Sequence, residues 1–214
     1  MQLSLPKYDE RVLFVGSNGT GKSILAARLL AQFPRYVVID VKGDVPIEGT
    51  VLTSPTDIRW RFAKRIVYRP RRQWMFPEAH RYVLDRLYER ARGIRSREDK
   101  RFVLYIDEAL YLANEGARRP LISLAVTTRS LGMGLWGSAQ RPRTIPVEMR
   151  SEAWRWYVFS LGYEEDEKEI ARYTKGELTA EELRVGTEQY SFYEIMRKSG
   201  STGLKITHYP PLRI

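Results

Sequence analysis

Short, solid apolar runs alternate along this chain with stretches in which apolar residues recur every three or four positions. Residues 11–15 (RVLFV) form a run with the character of a buried strand. Residues 22–33 (KSILAARLLAQF) carry their apolar side chains at helical spacing and predict a helix. A β-branched run at 36–41 (YVVIDV) and a shorter one at 65–68 (RIVY) predict two further strands. Pro77 stands at a first-turn position and opens a helix to about Arg92. The strongest apolar run, 102–106 (FVLYI), is the next strand. A helix over 120–131, strands over 133–139 and 154–161, and a charged helix over 164–173 complete the alternation. Strands that alternate with helices predict an α/β fold with a mostly parallel sheet covered on both faces. Ligands of such folds bind beyond the carboxyl ends of the strands. The end of the chain changes pattern: runs at 189–196 and 204–209 flank the turn-rich SGSTG and predict an antiparallel hairpin within about 187–209.

Length and composition narrow the class. With 214 residues, 43% hydrophobic and 29% charged, the chain is expected to be one domain, 1–214, able to bury a core. It has no cysteine and only His80 and His208 as histidines, which removes disulfides and thiolate metal sites and disfavours a histidine zinc site. No apolar run reaches the roughly 18 residues of a membrane span, and the amino-terminal segment lacks a signal-peptide core, so an intracellular protein is expected. The net charge of +10 points to a polyanionic partner through counterion release.

The chemistry begins at Gly16-Ser17-Asn18-Gly19-Thr20-Gly21-Lys22-Ser23, a full G-x-x-x-x-G-K-[ST] P-loop between a predicted strand and a predicted helix. Its glycines let the backbone close on phosphate with amide groups turned inward, and the helix N-terminus adds partial positive charge. Lys22 is expected to reach the β- and γ-phosphates of ATP, and Ser23 to ligate Mg2+. Asp107 ends the strongest apolar strand and is placed to hold the magnesium shell. Glu108 follows it, placed to polarise the attacking water. Gln140 ends the next strand, where a polar side chain can sense the γ-phosphate.

Together these residues resemble the FtsK–HerA superfamily of DNA-pumping ATPases, from about Arg11 to the hairpin. The most specific stretch is 128–142, TRSLGMGLWGSAQRP: an arginine, small residues and glycine, then a strand ending in Gln-Arg-Pro. The resemblance implies a RecA-like (ASCE) P-loop core. It implies that Lys22 and Ser23 serve as Walker A lysine and hydroxyl, Asp107 and Glu108 as Walker B and catalytic glutamate, and Gln140 as sensor. Arg129 matches the arginine that a neighbouring subunit's site receives. VIDVKGD, with Asp40 and Lys42, also looks like the family's sequence, without a role for either. The size is similar to that of genome-packaging ATPases of viruses and phages. That branch implies double-stranded DNA as substrate, a homo-oligomeric ring of five or six copies, a capsid or portal-vertex protein as docking partner, and a place in the host cytoplasm or with the virion.

Gln140 lies eleven residues after Arg129, so a helix carrying one and a strand carrying the other cannot easily turn both to the same phosphate. An arginine offered in trans is the expected arrangement, with Arg118, Arg119 and Arg150 as the next candidates. For nucleic acid, the loop after the sensor strand, with Arg141 and Arg143, leaves the sheet at the nucleotide edge and is the favoured contact. Other arginines cluster at 59–72, where Trp60 and Trp74 lie among them, and at 90–101. Competing readings are a small-molecule P-loop kinase, a plasmid or conjugation-type DNA pump, and a nucleotide-gated binding subunit without turnover.

Overall fold

The computed structural model describes residues 3–94, 101–198 and 203–211. Among the described residues, nine strands form one sheet: β1 Arg11–Val15, β2 Tyr36–Ile39, β3 Thr50–Leu52, β4 Arg65–Tyr68, β5 Val103–Ile106, β6 Gly134–Ala139, β7 Arg155–Val158, β8 Phe192–Arg197 and β9 Leu204–Tyr209. Their order is β3-β4-β2-β5-β6-β1-β7-β8-β9. Pairing is parallel from β3 to β7 and antiparallel from β7 through β9. The helices are α1 Lys22–Leu30, α2 Pro77–Ile94, α3 Ala109–Leu112, α4 Arg118–Thr127, α5 Val147–Glu152, α6 Glu164–Tyr173 and α7 Ala180–Gly186.

The solid apolar runs follow from two buried faces. Successive side chains of a strand point to opposite faces. Leu13, Val15, Val37, Ile39, Leu104 and Ile106 pack into one core; Val12, Phe14, Tyr36, Val38, Val103 and Tyr105 pack into the other. Residues of α1 fill the second core, with Leu25, Ala26, Leu29 and Leu30. The first core takes residues from α2 through α7, among them Leu84, Leu112, Leu121, Met149, Ile170 and Leu183. Among the described residues, no helix is long and apolar enough to cross a membrane.

Several boundaries differ from the sequence reading, each for a local reason. The helix expected over 120–131 starts and stops earlier: α4 begins at Arg118, after a π turn over Ala113–Ala117 in which Gly116 has φ 76°, and a 3-10 turn over Thr128–Leu131 follows it. Strand pairing in the expected 154–161 run stops at Val158. The hairpin's first strand begins at Phe192 because Gln189 and Tyr190 have φ of 51° and 67°, which a strand cannot contain. β3, α5 and α7 are additional elements. The tip of the hairpin lies outside the described residues.

Candidate functional site

The P-loop joins the end of β1 to the start of α1 at the middle of the sheet. Gly16 has no room for a side chain: a Cβ would stand 2.7 Å from Phe159 Cβ and 2.9 Å from Thr20 Oγ1. Gly21, just before α1, sits at φ 99°, a conformation that favours glycine. Thr20 Oγ1 donates to Ser17 O at 2.9 Å, and Ser17 N donates to Ser160 O at 2.8 Å, tying the loop to the segment after β7. No side chain caps α1, so its first N–H groups are available to an anion. Lys22 lies buried beneath the loop, its Nζ 2.7 Å from Ser17 O. Burial lowers its pKa, and the negative charges of Glu108 and Asp107 work against that fall.

Strand register supplies the acidic half. β6 lies between β1 and β5, with Ile106 opposite Gly137 and Val15 opposite Ala139. One step further, Asp107 meets Ser138, and Gln140 reaches the base of the P-loop. Asp107 Oδ1 accepts from Ser138 Oγ at 2.7 Å and Tyr105 OH at 2.9 Å, with Ser23 Oγ at 3.4 Å. Burial raises the pKa of Asp107 while the Ser138 and Tyr105 hydrogen bonds hold it down. Tyr105 is pushed well above the usual phenol range by its own burial and by the charge of Asp107.

This donor set fits magnesium. Ser23 and Asp107 are hard oxygen donors beside the phosphate loop, and all three contacts of Asp107 fall on Oδ1, leaving Oδ2 for a cation. The carboxylates of Asp40, Asp44 and Asp107 lie within 4.8 Å of one another. Asp40 is the exception in chemistry. Its Oδ1 accepts from Gly43 N and Asp44 N, and its Oδ2 from Val45 N and Arg69 Nε. Asp40 therefore shapes the turn that carries Lys42 and Asp44, and Arg69 fixes the turn from β4's end by also donating to Val45 O.

Glu108 has φ 51°, uncommon for a residue with a side chain, and its N–H donates to Ser138 Oγ at 3.0 Å. Strain of this kind concentrates at working sites. Glu108 Oε1 accepts from Lys42 Nζ at 2.7 Å and from Gln140 Nε2 at 3.1 Å. Burial works against the Lys42 charge, yet its hydrogen bond to Glu108 and the Glu108 charge raise its pKa. Lys42 and Glu108 stand between two cavities. One, about 330 Å³, is lined by the P-loop, Asp44 and Asp107; the other, about 460 Å³, by Met75, Tyr111, Asn114 and Gln140.

The structure thus brings Lys22, Ser23, Asp107, Glu108 and Gln140 to one place. Sequence reasoning left Lys42 without a role and missed Ser138, Tyr105 and Asp44. A buried serine inside the apolar run LWGSA was the available signal for Ser138.

The remaining candidates lie apart. The backbone of Arg129 sits in the 3-10 turn before β6, at the amino edge of the sheet, so a six-residue strand, about 20 Å at ordinary rise, separates it from the P-loop of its own chain. Its side chain is outside the described residues. Arg150 binds Glu169 at 2.8 Å, Arg118 lies 3.9 Å from Glu148, and Arg119 is exposed. Arg141 donates to Asp166 at 2.8 Å and lies over the Tyr163 ring at 4.3 Å, while Arg143 is exposed. Trp60 is core: it packs on Tyr68 and donates to Ser54 O. Trp74 is half-buried beside Phe76. Of the 90–101 cluster, Arg95, Arg97 and Lys100 lie outside the described residues.

Against known proteins, a family model described as AAA domain matches residues 7–140, more than half the chain, and its match ends at Gln140. No curated protein matches the sequence. The fold is similar to that of the genome packaging NTPase B204 of Sulfolobus turreted icosahedral virus 2, in complex with AMPPCP. The TM-score is 0.69 at 22% identity, covering 96% of this chain and 99% of that one. The pCW3 conjugation coupling protein TcpA is similar over 92% of this chain and 60% of its own, with TM-score 0.57 and 17% identity. ATPases 2 and 3 of Thermomonospora curvata EccC match over 95% and 37%, with TM-score 0.58 and 18% identity. These neighbours share the P-loop α/β fold that the sequence resemblance implies.

Proposed function

The chain belongs to the AAA domain family, and from its site we infer an ATP hydrolase that drives nucleic-acid translocation, a genome-packaging motor acting as a ring on double-stranded DNA. The observation that carries the hydrolase is Glu108. It is held at a strained backbone position beside the P-loop, with Oε1 occupied by Lys42 and Gln140. Oε2 makes no hydrogen bond among the described residues and is the oxygen left to accept a proton from water.

In this reading the amides of 16–23 and the α1 N-terminus hold the phosphates, and Lys22 exchanges Ser17 O for phosphate oxygen. Ser23 and Asp107 hold magnesium, which neutralises charge on the phosphates. Glu108 orients and deprotonates the water. Gln140, bonded to Glu108 and rooted at the end of β6, connects the γ-phosphate position to the Arg141–Arg143 segment that follows. Packaging as the biological task is supported by the likeness in fold and length to a protein described as a genome packaging NTPase. A conjugation-type pump shares the chemistry.

ATPase rate against protein concentration, with and without duplex DNA and with no small acceptor, tests this reading. A motor ring gives a specific activity that rises with concentration and with DNA. Turnover only on adding a small phosphate acceptor would identify a kinase, and no turnover would remove the enzyme.

A further inference from the structure

Arginines from three separate stretches of the sequence meet in space. Arg61, in the 3-10 turn before β4, and Arg86 and Arg90, on the last turns of α2, line one cavity of about 490 Å³ together with Arg35 and Trp60. The cavity lies at the amino ends of β2 and β4, the sheet edge opposite the P-loop. No carboxylate lines it among the described residues. Phe62 also borders the cavity and is 75% exposed, the most open of the large apolar side chains among the described residues.

The four cations are not equivalent. Arg90 donates to Trp60 O at 3.0 Å and Ala63 O at 3.3 Å and lies over the Phe102 ring, so it braces the wall. Its pKa is lowered by burial and then by the positive charge of Arg35. Arg86 donates one N–H to Pro55 O at 3.1 Å and keeps its other donors. Arg61 is exposed and has no hydrogen bond or ion pair among the described residues. Like charges brought together with no acid in the lining raise one another's energy, and an anion that enters relieves this. Arginine forks match phosphate oxygens in pairs.

We propose that this cavity is a phosphate-binding site that grips the backbone of a nucleic-acid strand, with Arg61 and Arg86 on successive phosphates and Phe62 against a base or sugar. An open aromatic ring beside arginines is the arrangement that binds strands without reading sequence. The cavity adds a second grip to the one that the sequence favours. The sequence favoured Arg141 and Arg143, but Arg141 is committed to Asp166 and Tyr163. The site rests on the nucleic-acid reading above and is physically separate from the nucleotide site.

The test compares wild type with Arg61→Ala/Arg86→Ala and with Phe62→Ala. All three are first checked for equal ATP-analogue affinity and equal melting temperature, which show the fold and the P-loop to be intact. Binding of fluorescent duplex and single-stranded oligonucleotides is then titrated from low to physiological salt. Each phosphate contact contributes about −0.9 to the slope of log affinity on log salt for duplex and about −0.7 for single strands. The arginine variant should lose close to two such units. Phe62→Ala should keep the slope and lose about tenfold in affinity for single strands. An unchanged slope in the arginine variant, with wild type binding normally, overturns the site and leaves the translocase reading standing. Failure of wild type to bind any oligonucleotide overturns both. Inorganic pyrophosphate binding that depends on Arg61 and Arg86, without oligonucleotide binding, makes the cavity a small-anion site and overturns the nucleic-acid assignment. Arg61-dependent binding of poly-glutamate that outcompetes DNA makes the partner an acidic protein, with the same consequence.

Discussion

Single side chains at this site do two jobs, and the hydrogen bonds separate them. Lys22 is buried against Ser17 O, and its charge is balanced chiefly by Glu108 and Asp107 across the loop, with a smaller part from Asp44. Lys22→Ala should therefore remove tight ATP binding, read by titration with a fluorescent analogue; undiminished affinity would displace the phosphate site. Glu108→Gln keeps size and polarity and loses the base. It should bind ATP as wild type does and lose roughly 10²–10⁴-fold in turnover. Lys42 acts through Glu108: its ammonium is one of two donors on Oε1, and Gln140 is the other. Lys42→Ala leaves the carboxylate half-held, and a misplacement near 1 Å can cost about 10²-fold. The loss should fall on kcat with KM little changed, and Lys42→Arg should restore part of it. A change in KM alone would make Lys42 a binding residue. Lys22, Glu108 and Gln140 could be read from the sequence because each sits at a fixed offset from a strand end. Lys42 could not, because its partner is 66 positions away and only the Asp40 turn aims it there.

At the scale of elements, what the sequence disclosed depended on whether an element explains its own pattern. β1, β4 and β9 match their runs residue for residue; β1 and β4 do so because strands buried on both faces need nearly unbroken apolar stretches, whereas β9, buried only at Tyr209, is marked by the turn-rich segment before it. β3 was invisible because its three residues, Thr50, Val51 and Leu52, are a strand only by pairing with β4. α7 was legible in principle: Thr179 and Glu182 form a reciprocal capping box, spelled by T-A-E-E. The antiparallel extension was expected, but what fastens it was not. Arg155 on β7 donates to Glu194 on β8 at 2.6 Å and to Glu10 at 2.7 Å, and Tyr157 and Tyr209 also donate to Glu194. Glu194 and Arg155 are both buried. Breaking one side of such a pair leaves an uncompensated charge, worth roughly 3–5 kcal/mol. Glu194→Ala should lower the melting temperature by about 10 °C in a thermal scan. A near-neutral result would mean that Glu10 alone satisfies Arg155.

At the scale of the whole molecule, the placement of Arg129 raises the question of assembly. The nucleotide site occupies the carboxyl edge of the sheet, while Arg129 lies in the turn that feeds β6 at the amino edge. No rotamer of a side chain roughly 7 Å long crosses a strand of about 20 Å, so Arg129 cannot serve its own P-loop. Among the alternatives, Arg150 is spent on Glu169 and Arg118 faces Glu148 at 3.9 Å, which leaves exposed Arg119 as the main rival. An arginine supplied by a neighbour contributes on the order of 10³–10⁵ in rate in P-loop enzymes. Arg129→Ala should therefore bind ATP normally and hydrolyse it slowly. Mixing it with Glu108→Gln separates a trans role from a structural one. Each variant is inactive alone, but in a mixed assembly the Glu108→Gln subunit offers an intact Arg129 to a neighbour whose Glu108 is intact. Activity should return in part and follow the fraction of such junctions as the mixing ratio is varied. Co-assembly is checked independently by light scattering of the mixture. If the two variants assemble and no activity returns at any ratio, Arg129 is not the finger, and the same experiment with Arg119→Ala decides whether the finger lies one helix earlier.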